Sequence, residues 1–410
     1  MNVLRCRLTL LSFLLGGSAF VLGDELTFTV YDIGNLGCPE VTIALDINDF
    51  GVLVGVSGVP PCPATDGNGF AWFNGVMTDL TATSEGAPFC SVNGISRDGS
   101  VVATGSTWED LVVFVRDGVS IVIGPPEGCS NNGPAEYING AGTMIGGWCH
   151  RELNGSQAPA IYWTQDGSAL VLDLLPDAPA DANGWTTDIN DSGVVVGYFS
   201  YGAEGGRGFI WVDGVMTELV NTMGGGERVL LQAISNSGFI SGGADTPDGY
   251  QAMRYDMNTG EMIALGEGCA YDVNDRGVAA GSDIVNFGLR AMLYKDGEAI
   301  DLHALLPDYM FATHAGSINR YGWIVGEAWD EGYDYFWGWL LVPNYAKGDY
   351  DGDGDVDHQD FGHFQRCFAA EPYIDHTLHV GCAVFDFDDD NDLGLDDYAR
   401  FQEAFTGTLN

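Results

Sequence analysis

The stretch GDYDGDGDVDHQD, residues 348–360, places an aspartate at every second position and then one more at its end. Asp349, Asp351, Asp353, Asp355, Asp357 and Asp360 fall at positions 1, 3, 5, 7, 9 and 12 of a twelve-residue loop, with Gly354 at position 6. Carboxylates this close repel one another in any compact state. A hard divalent cation turns that repulsion into attraction, and this is the spacing with which a chain wraps Ca²⁺. Side chains at 1, 3, 5 and 12 ligate directly, position 7 gives its backbone carbonyl, and position 9 acts through water. Glycine at 6 allows the sharp turn. A second copy, DFDDDNDLGLDD, puts Asp386, Asp388, Asp390, Asp392 and Asp397 at positions 1, 3, 5, 7 and 12. Asn391 replaces the glycine, which is acceptable because asparagine also tolerates the left-handed backbone. Gly394 at position 9 offers no side chain, so the second site is expected to be the weaker.

These carboxylates need elements to position them. Each loop runs into a short amphipathic segment, DFGHFQRCF and DYARFQEAF. Phe361, Phe364 and Phe368 align with Tyr398, Phe401 and Phe405, on one helical face by their spacing of three and four. The two halves are expected to pack through these rings. Val356, at loop position 8, is the apolar residue that pins the loop to its neighbour. Cys367 and Cys382 flank the connector between the halves and form the expected disulfide, worth roughly 3 kcal/mol.

The 300 residues upstream are dominated by a repeat. It reads DINDFGVLVG from Asp46, YINGAGTMIG from Tyr137, DINDSGVVVG from Asp188, AISNSGFISG from Ala233, DVNDRGVAAG from Asp272 and SINRYGWIVG from Ser317, with a weaker copy from Gly94. The leading positions run from Ile47 to Ile318 in six steps of about 45 residues, a four-strand blade length. Each copy has a second half, such as GFAWFNGVMTDL from Gly69 or GFIWVDGVMTEL from Gly208. In it an Asn-Gly or Asp-Gly dipeptide predicts a two-residue hairpin turn with positive φ at both positions. Two hairpins per copy make four strands. The seventh copy ends after YFWGWLLVP without its last strand, and FTVYDIGNLG, residues 28–37, supplies the missing one. The expected fold is all-β, a seven-bladed propeller closed by a blade shared between the chain ends, followed by a small helical, EF-hand-like domain. A β-solenoid or another blade number is the alternative. The recurring Asp and Asn read as turn residues bonding nearby backbone, and no catalytic residue is assigned.

The repeat resembles the HAF-type extracellular repeat proteins of bacteria, which implies an exported propeller-like array and carries little functional information. The tail resembles a dockerin type I module over residues 347–406. That resemblance implies calcium-dependent docking into a cohesin-like domain on a scaffold or cell surface. Loop positions 10 and 11, where that family often contacts its partner, are His358 and Gln359 in the first loop and Leu395 and Asp396 in the second.

The chain has 410 residues and a formal charge of −43. Such acidity excludes nucleic acid and disfavours anionic membrane surfaces. Residues 1–23 read as a secretory signal, with Arg5 and Arg7 before an apolar run, and no later segment is long and apolar enough to insert in a membrane. The expected organisation is therefore signal peptide 1–23, propeller 24–343 and calcium-binding tail 344–410. The expected role is a secreted, non-catalytic binding or scaffold protein whose propeller engages polysaccharide or a surface protein. A polysaccharide-degrading glycoside hydrolase and a surface-layer component are the alternatives.

Overall fold

A computed structural model describes residues 19–22, 26–60, 67–85, 89–104, 111–200, 205–285, 288–332, 334–369 and 378–406. Most of the expected signal peptide lies outside the described residues, as does most of the connector between the tail helices.

Seven antiparallel sheets are arranged as blades in chain order. Blade 1 spans Thr42–Ile47, Leu53–Gly58, Gly67–Phe73 and Val76–Asp79. Blade 2 begins at Val92, blade 3 at Cys129, blade 4 at Asn183, blade 5 at Val229 and blade 6 at Cys269. Blade 7 joins the two ends of the chain: Ala312–Ile318, Ile324–Trp329 and Phe336–Pro343 are completed by Leu26–Asp32, with Phe28 opposite Pro343 and Asp32 opposite Trp339. This is the shared blade expected from the sequence. A further strand, Ala19–Leu22, lies on Leu26–Asp32. It falls within the expected signal peptide, so cleavage there would leave four strands in blade 7, like the other six.

The hairpin turns are those the dipeptides dictate. Asn74–Gly75, Asp117–Gly118, Asp213–Gly214 and Asp296–Gly297 all have positive φ at both residues. Apolar side chains from neighbouring blades fill the spaces between sheets: Val54, Phe89 and Val92 between blades 1 and 2, and Val196, Leu231 and Met253 between blades 4 and 5.

Each innermost strand carries a β-bulge just before the first residue of the repeat, between Ala44 and Asp46, Val92 and Gly94, Ala135 and Tyr137, Thr186 and Asp188, Leu231 and Ala233, Ala270 and Asp272, and Ala315 and Ser317. A bulge bends its strand and re-aims the next side chain. Asp46, Asp188 and Asp272 thereby reach the following blade, accepting the amides of Ile95, Ile234 and Ile318 at 2.8–2.9 Å.

The repeat asparagine does two jobs. Its Oδ1 closes its own turn, and its Nδ2 donates to the equivalent carbonyl of the next blade. Asn48 reaches Ser96, Asn190 reaches Ser235, Asn274 reaches Asn319, and Asn319 reaches Asn48 across 271 residues, at 3.1–3.3 Å. The turn role matches the sequence reading; the blade-to-blade role was not visible in it.

After Pro343 the chain forms the two loops and two helices, His358–Ala369 and Leu395–Ala404. Phe364 and Phe401 are fully inside, and Phe361, Tyr398 and Phe385 pack against them. Phe368 differs from expectation: it touches Phe364 but is 48% exposed, because it sits at the open end of the helix face. The Cys367–Cys382 disulfide is formed, and a second joins Cys129 to Cys149 within blade 3.

Candidate metal centres

The two loops share one hydrogen-bond scheme despite their different residues. The position-1 carboxylate accepts the amides of positions 5 and 6. Asp349 takes Asp353 at 3.2 Å and Gly354 at 3.1 Å, and Asp386 takes Asp390 at 3.2 Å and Asn391 at 3.0 Å. The position-12 carboxylate accepts the amides of positions 2 and 9. Asp360 takes Tyr350 at 2.7 Å and Asp357 at 2.8 Å, and Asp397 takes Phe387 at 2.7 Å and Gly394 at 2.8 Å. Gly354 and Asn391 both have the positive φ that position 6 demands.

Carboxylate oxygens of Asp349, Asp351 and Asp360 all lie within 4.8 Å of one another, as do those of Asp386, Asp388 and Asp397. Asp355, Asp357 and Asp360 form a third such group along the first loop. Asp353, Asp390 and Asp392 do not join these clusters. Asp353 and Asp390 instead accept the amides of Asp355 and Asp392.

The electrostatics of the first loop are unbalanced. Asp349, Asp351 and Asp360 are 5%, 6% and 1% exposed, and Arg276 of blade 6 is the one cation bonded to any of them among the described residues. Burial holds all three carboxyls above their ordinary range, with Asp360 pushed up to about 6. In the second loop Asp386 and Asp397 are 4% and 2% exposed. Lys347 there pairs with Asp389, and Arg400 donates to the Phe387 carbonyl. Buried carboxylates with so little countercharge are costly, and this donor set, all hard oxygen, fits a divalent cation.

The residues expected to meet a partner are on the surface. His358, Gln359, Leu395 and Asp396 are exposed, Leu395 by 76%. His358 also contacts Phe405 edge to face at 5.1 Å.

The tail is also fixed to the propeller, on the face where the first-to-second and third-to-fourth strand turns open. Trp323 of blade 7 is buried in one cluster with Tyr350, Val356, Phe364 and Phe385 of the tail. Tyr321 Oη lies 2.8 Å from His363 Nε2, and Tyr350 stacks on His363 at 3.9 Å. Asn74 of blade 1 accepts the Val380 amide at 2.7 Å, and Arg366 lies over Phe50. Gly381, at φ +83°, lies so close to Trp323 that a Cβ would come within 2.2 Å of the indole. The sequence held a signal for this surface. At the fifth repeat position, blades 6, 7 and 1 carry Arg276, Tyr321 and Phe50, whereas blades 3, 4 and 5 carry Ala141, Ser192 and Ser237.

The propeller axis holds a cavity of about 200 Å³ bordered by Asp46, Asp188, Asp272, Tyr137 and Ser317. The three carboxyls are remote from bulk water yet border this lumen. Burial raises each, Asp272 to about 6 and Asp188 well above the ordinary range. Their oxygens are engaged by backbone amides of two blades, and Ser317 Oγ lies 2.9 Å from both Asp46 and Asp272. They are bonded as struts between blades.

No family model matches the chain, and no characterised protein matches it by sequence. Among solved structures it is similar to TolB from Acinetobacter baumannii, at 13% identity and TM-score 0.41, over 72% of this chain and 65% of that one. It is similar to the WD40 β-propeller domain of Doa1 at 11% identity and TM-score 0.43, over 78% and 98%. It is also similar to the extracellular domain of a two-component system of B. thetaiotaomicron at 12% identity and TM-score 0.46, over 80% and 42%. The blade count rests on this chain's own strand pairing. The disulfides are compatible with an extracellular location, and no helix among the described residues is long and apolar enough to cross a membrane.

Proposed function

We propose that the protein is an exported binding or scaffold protein whose tail binds two calcium ions and couples the propeller to a cohesin-like domain on a larger assembly or cell surface. The observation that carries this reading is the doubled loop: two segments of different sequence share one amide-to-carboxylate scheme and converge three carboxylates each. Asp349, Asp351, Asp353, Asp360 and the Asp355 carbonyl would hold one ion; Asp386, Asp388, Asp390, Asp397 and the Asp392 carbonyl would hold the other. The bound ion would supply charge compensation and loop order, not chemistry. Exposed His358, Gln359, Leu395 and Asp396 would then face the partner. Calcium titration calorimetry on the full chain, stripped with chelator and dialysed free of it, tests this, with heat from two sites expected. Absence of calcium heat removes the proposal.

The propeller supplies the recognition surface, and its second face favours polysaccharide. There Tyr335 and Trp337 stack at 5.9 Å with 11° between planes, and Tyr309 meets Trp337 edge to face at 5.1 Å. Tyr309 and Tyr335 are 55% and 40% exposed. Exposed flat rings beside carboxylates suit the apolar faces and hydroxyls of sugars better than anionic ligands. Binding to insoluble polysaccharides that survives Tyr335→Ala with Trp337→Ala unchanged would locate recognition elsewhere.

A further inference from the structure

We infer that Arg276 is a built-in counter-charge for the first aspartate loop: it holds the cation-free loop against the propeller and lowers that loop's affinity for calcium. This rests on the reading of both loops as cation sites.

The geometry is specific to one loop. Arg276 Nη2 donates to Asp351 Oδ1 at 3.1 Å, and the same oxygen accepts the Asp353 amide at 3.2 Å. Asp351 is the position-3 carboxylate, so a propeller side chain is bonded directly to one of the three converging groups. In the second loop the nearby cations are bonded elsewhere. Lys347 meets Asp389, at position 4, together with backbone carbonyls of Ala383 and Asp386, and Arg400 meets the Phe387 carbonyl. Among the described residues no Lys or Arg forms a direct ion pair with Asp386, Asp388 or Asp397, although the Arg400 charge is felt at Asp388.

A cation bound 2.3–2.6 Å from its oxygens would sit within about 8 Å of the guanidinium. A double charge facing a single one at that range, partly screened, weakens binding by about tenfold. Asp351 would also have to share its charge between two cations. The coupling is reciprocal: calcium in the first loop weakens the Arg276 contact, and the propeller weakens calcium.

The test uses the full chain with one loop disabled at a time. In an Asp386→Asn, Asp397→Asn background only the first loop remains. Calorimetric titration with Ca²⁺ should then show about tenfold tighter binding for Arg276→Gln and little change for Arg276→Lys. In an Asp349→Asn, Asp360→Asn background the same substitution should leave the second loop unchanged within twofold. Limited proteolysis in chelator should release the tail faster from Arg276→Gln than from the parent. First-loop affinity that is unchanged or weakened by Arg276→Gln overturns the inference while leaving the calcium reading intact. Absence of calcium heat in every variant overturns both.

Discussion

Replacing Phe364 by alanine should unfold the tail and silence both aspartate loops, although Phe364 lies in neither. It is 3% exposed, and its ring centroid lies 5.2 Å from Phe401, 5.4 Å from Phe385, 5.7 Å from Tyr398 and 6.0 Å from Phe368. It therefore touches both helices and the short helical turn that precedes the second loop. A buried phenylalanine truncated to alanine costs about 3–5 kcal/mol. A unit of some 60 residues has about 3–9 kcal/mol of stability in all, so the loss approaches the whole. The loops cannot keep positions 1 and 12 together without the helices that begin at each loop's end. Far-UV circular dichroism should lose its helical component while the strand signal persists, and calorimetry should show calcium binding lost at both sites together. A Phe364→Ala chain that loses less than about 1 kcal/mol in urea and titrates calcium like the parent would refute the idea that one aromatic core organises both loops.

Asn319→Ala should destabilise the propeller by about 2–4 kcal/mol, because it strands the Tyr321 and Trp323 amides at their turn and removes the donor to the Asn48 carbonyl; chemical denaturation showing a change under 0.5 kcal/mol would contradict the blade-to-blade role. His363 is held neutral by burial and by Arg366 and Arg320, its pKa lowered from 6.5 to about 3. The unfolded chain binds the proton more readily, so stability is full above 6.5 and falls as pH drops toward 3. His363→Gln should flatten the His363 contribution in that window in stability–pH profiles, and an unaltered slope would show that His363 carries none of it. Glu327 is raised to about 7 by burial alone, so its charged form is penalised. Its contribution to stability is complete below about 4.5 and is lost as pH rises through 7. Glu327→Gln should therefore stabilise the chain at pH 8 and not at pH 4, as read by thermal unfolding.

What could be read from the residues was local and periodic. The seven copies, the Asn-Gly and Asp-Gly turns and the strand lent by the N-terminal segment follow from spacing and backbone preference alone. So does the aspartate ladder, whose spacing specifies a loop without reference to anything outside it. The bulges did not show, because an extra residue in a strand leaves no compositional mark. The partners of Asn48, Asn190, Asn274 and Asn319 lie one blade away, beyond any local window. Trp323 carried no mark of its place at the tail, since burial between two modules uses the same residue types as burial within one. Arg276 stands out only against the small residues at the same repeat position of blades 3, 4 and 5; its partner, Asp351, lies in another architecture, far along the chain.

The ring has one joint that no continuous chain crosses, the pairing of Leu26–Asp32 with Phe336–Pro343. The tail grips the blades on both sides of that joint, through Arg276, Tyr321 with Trp323, and Asn74. Until Phe336–Pro343 pairs with Leu26–Asp32, the propeller is an open arc with two bare edges. The tail lies over that joint like a clasp, so a force applied to the tail would reach the ring at the seam between Leu26–Asp32 and Phe336–Pro343.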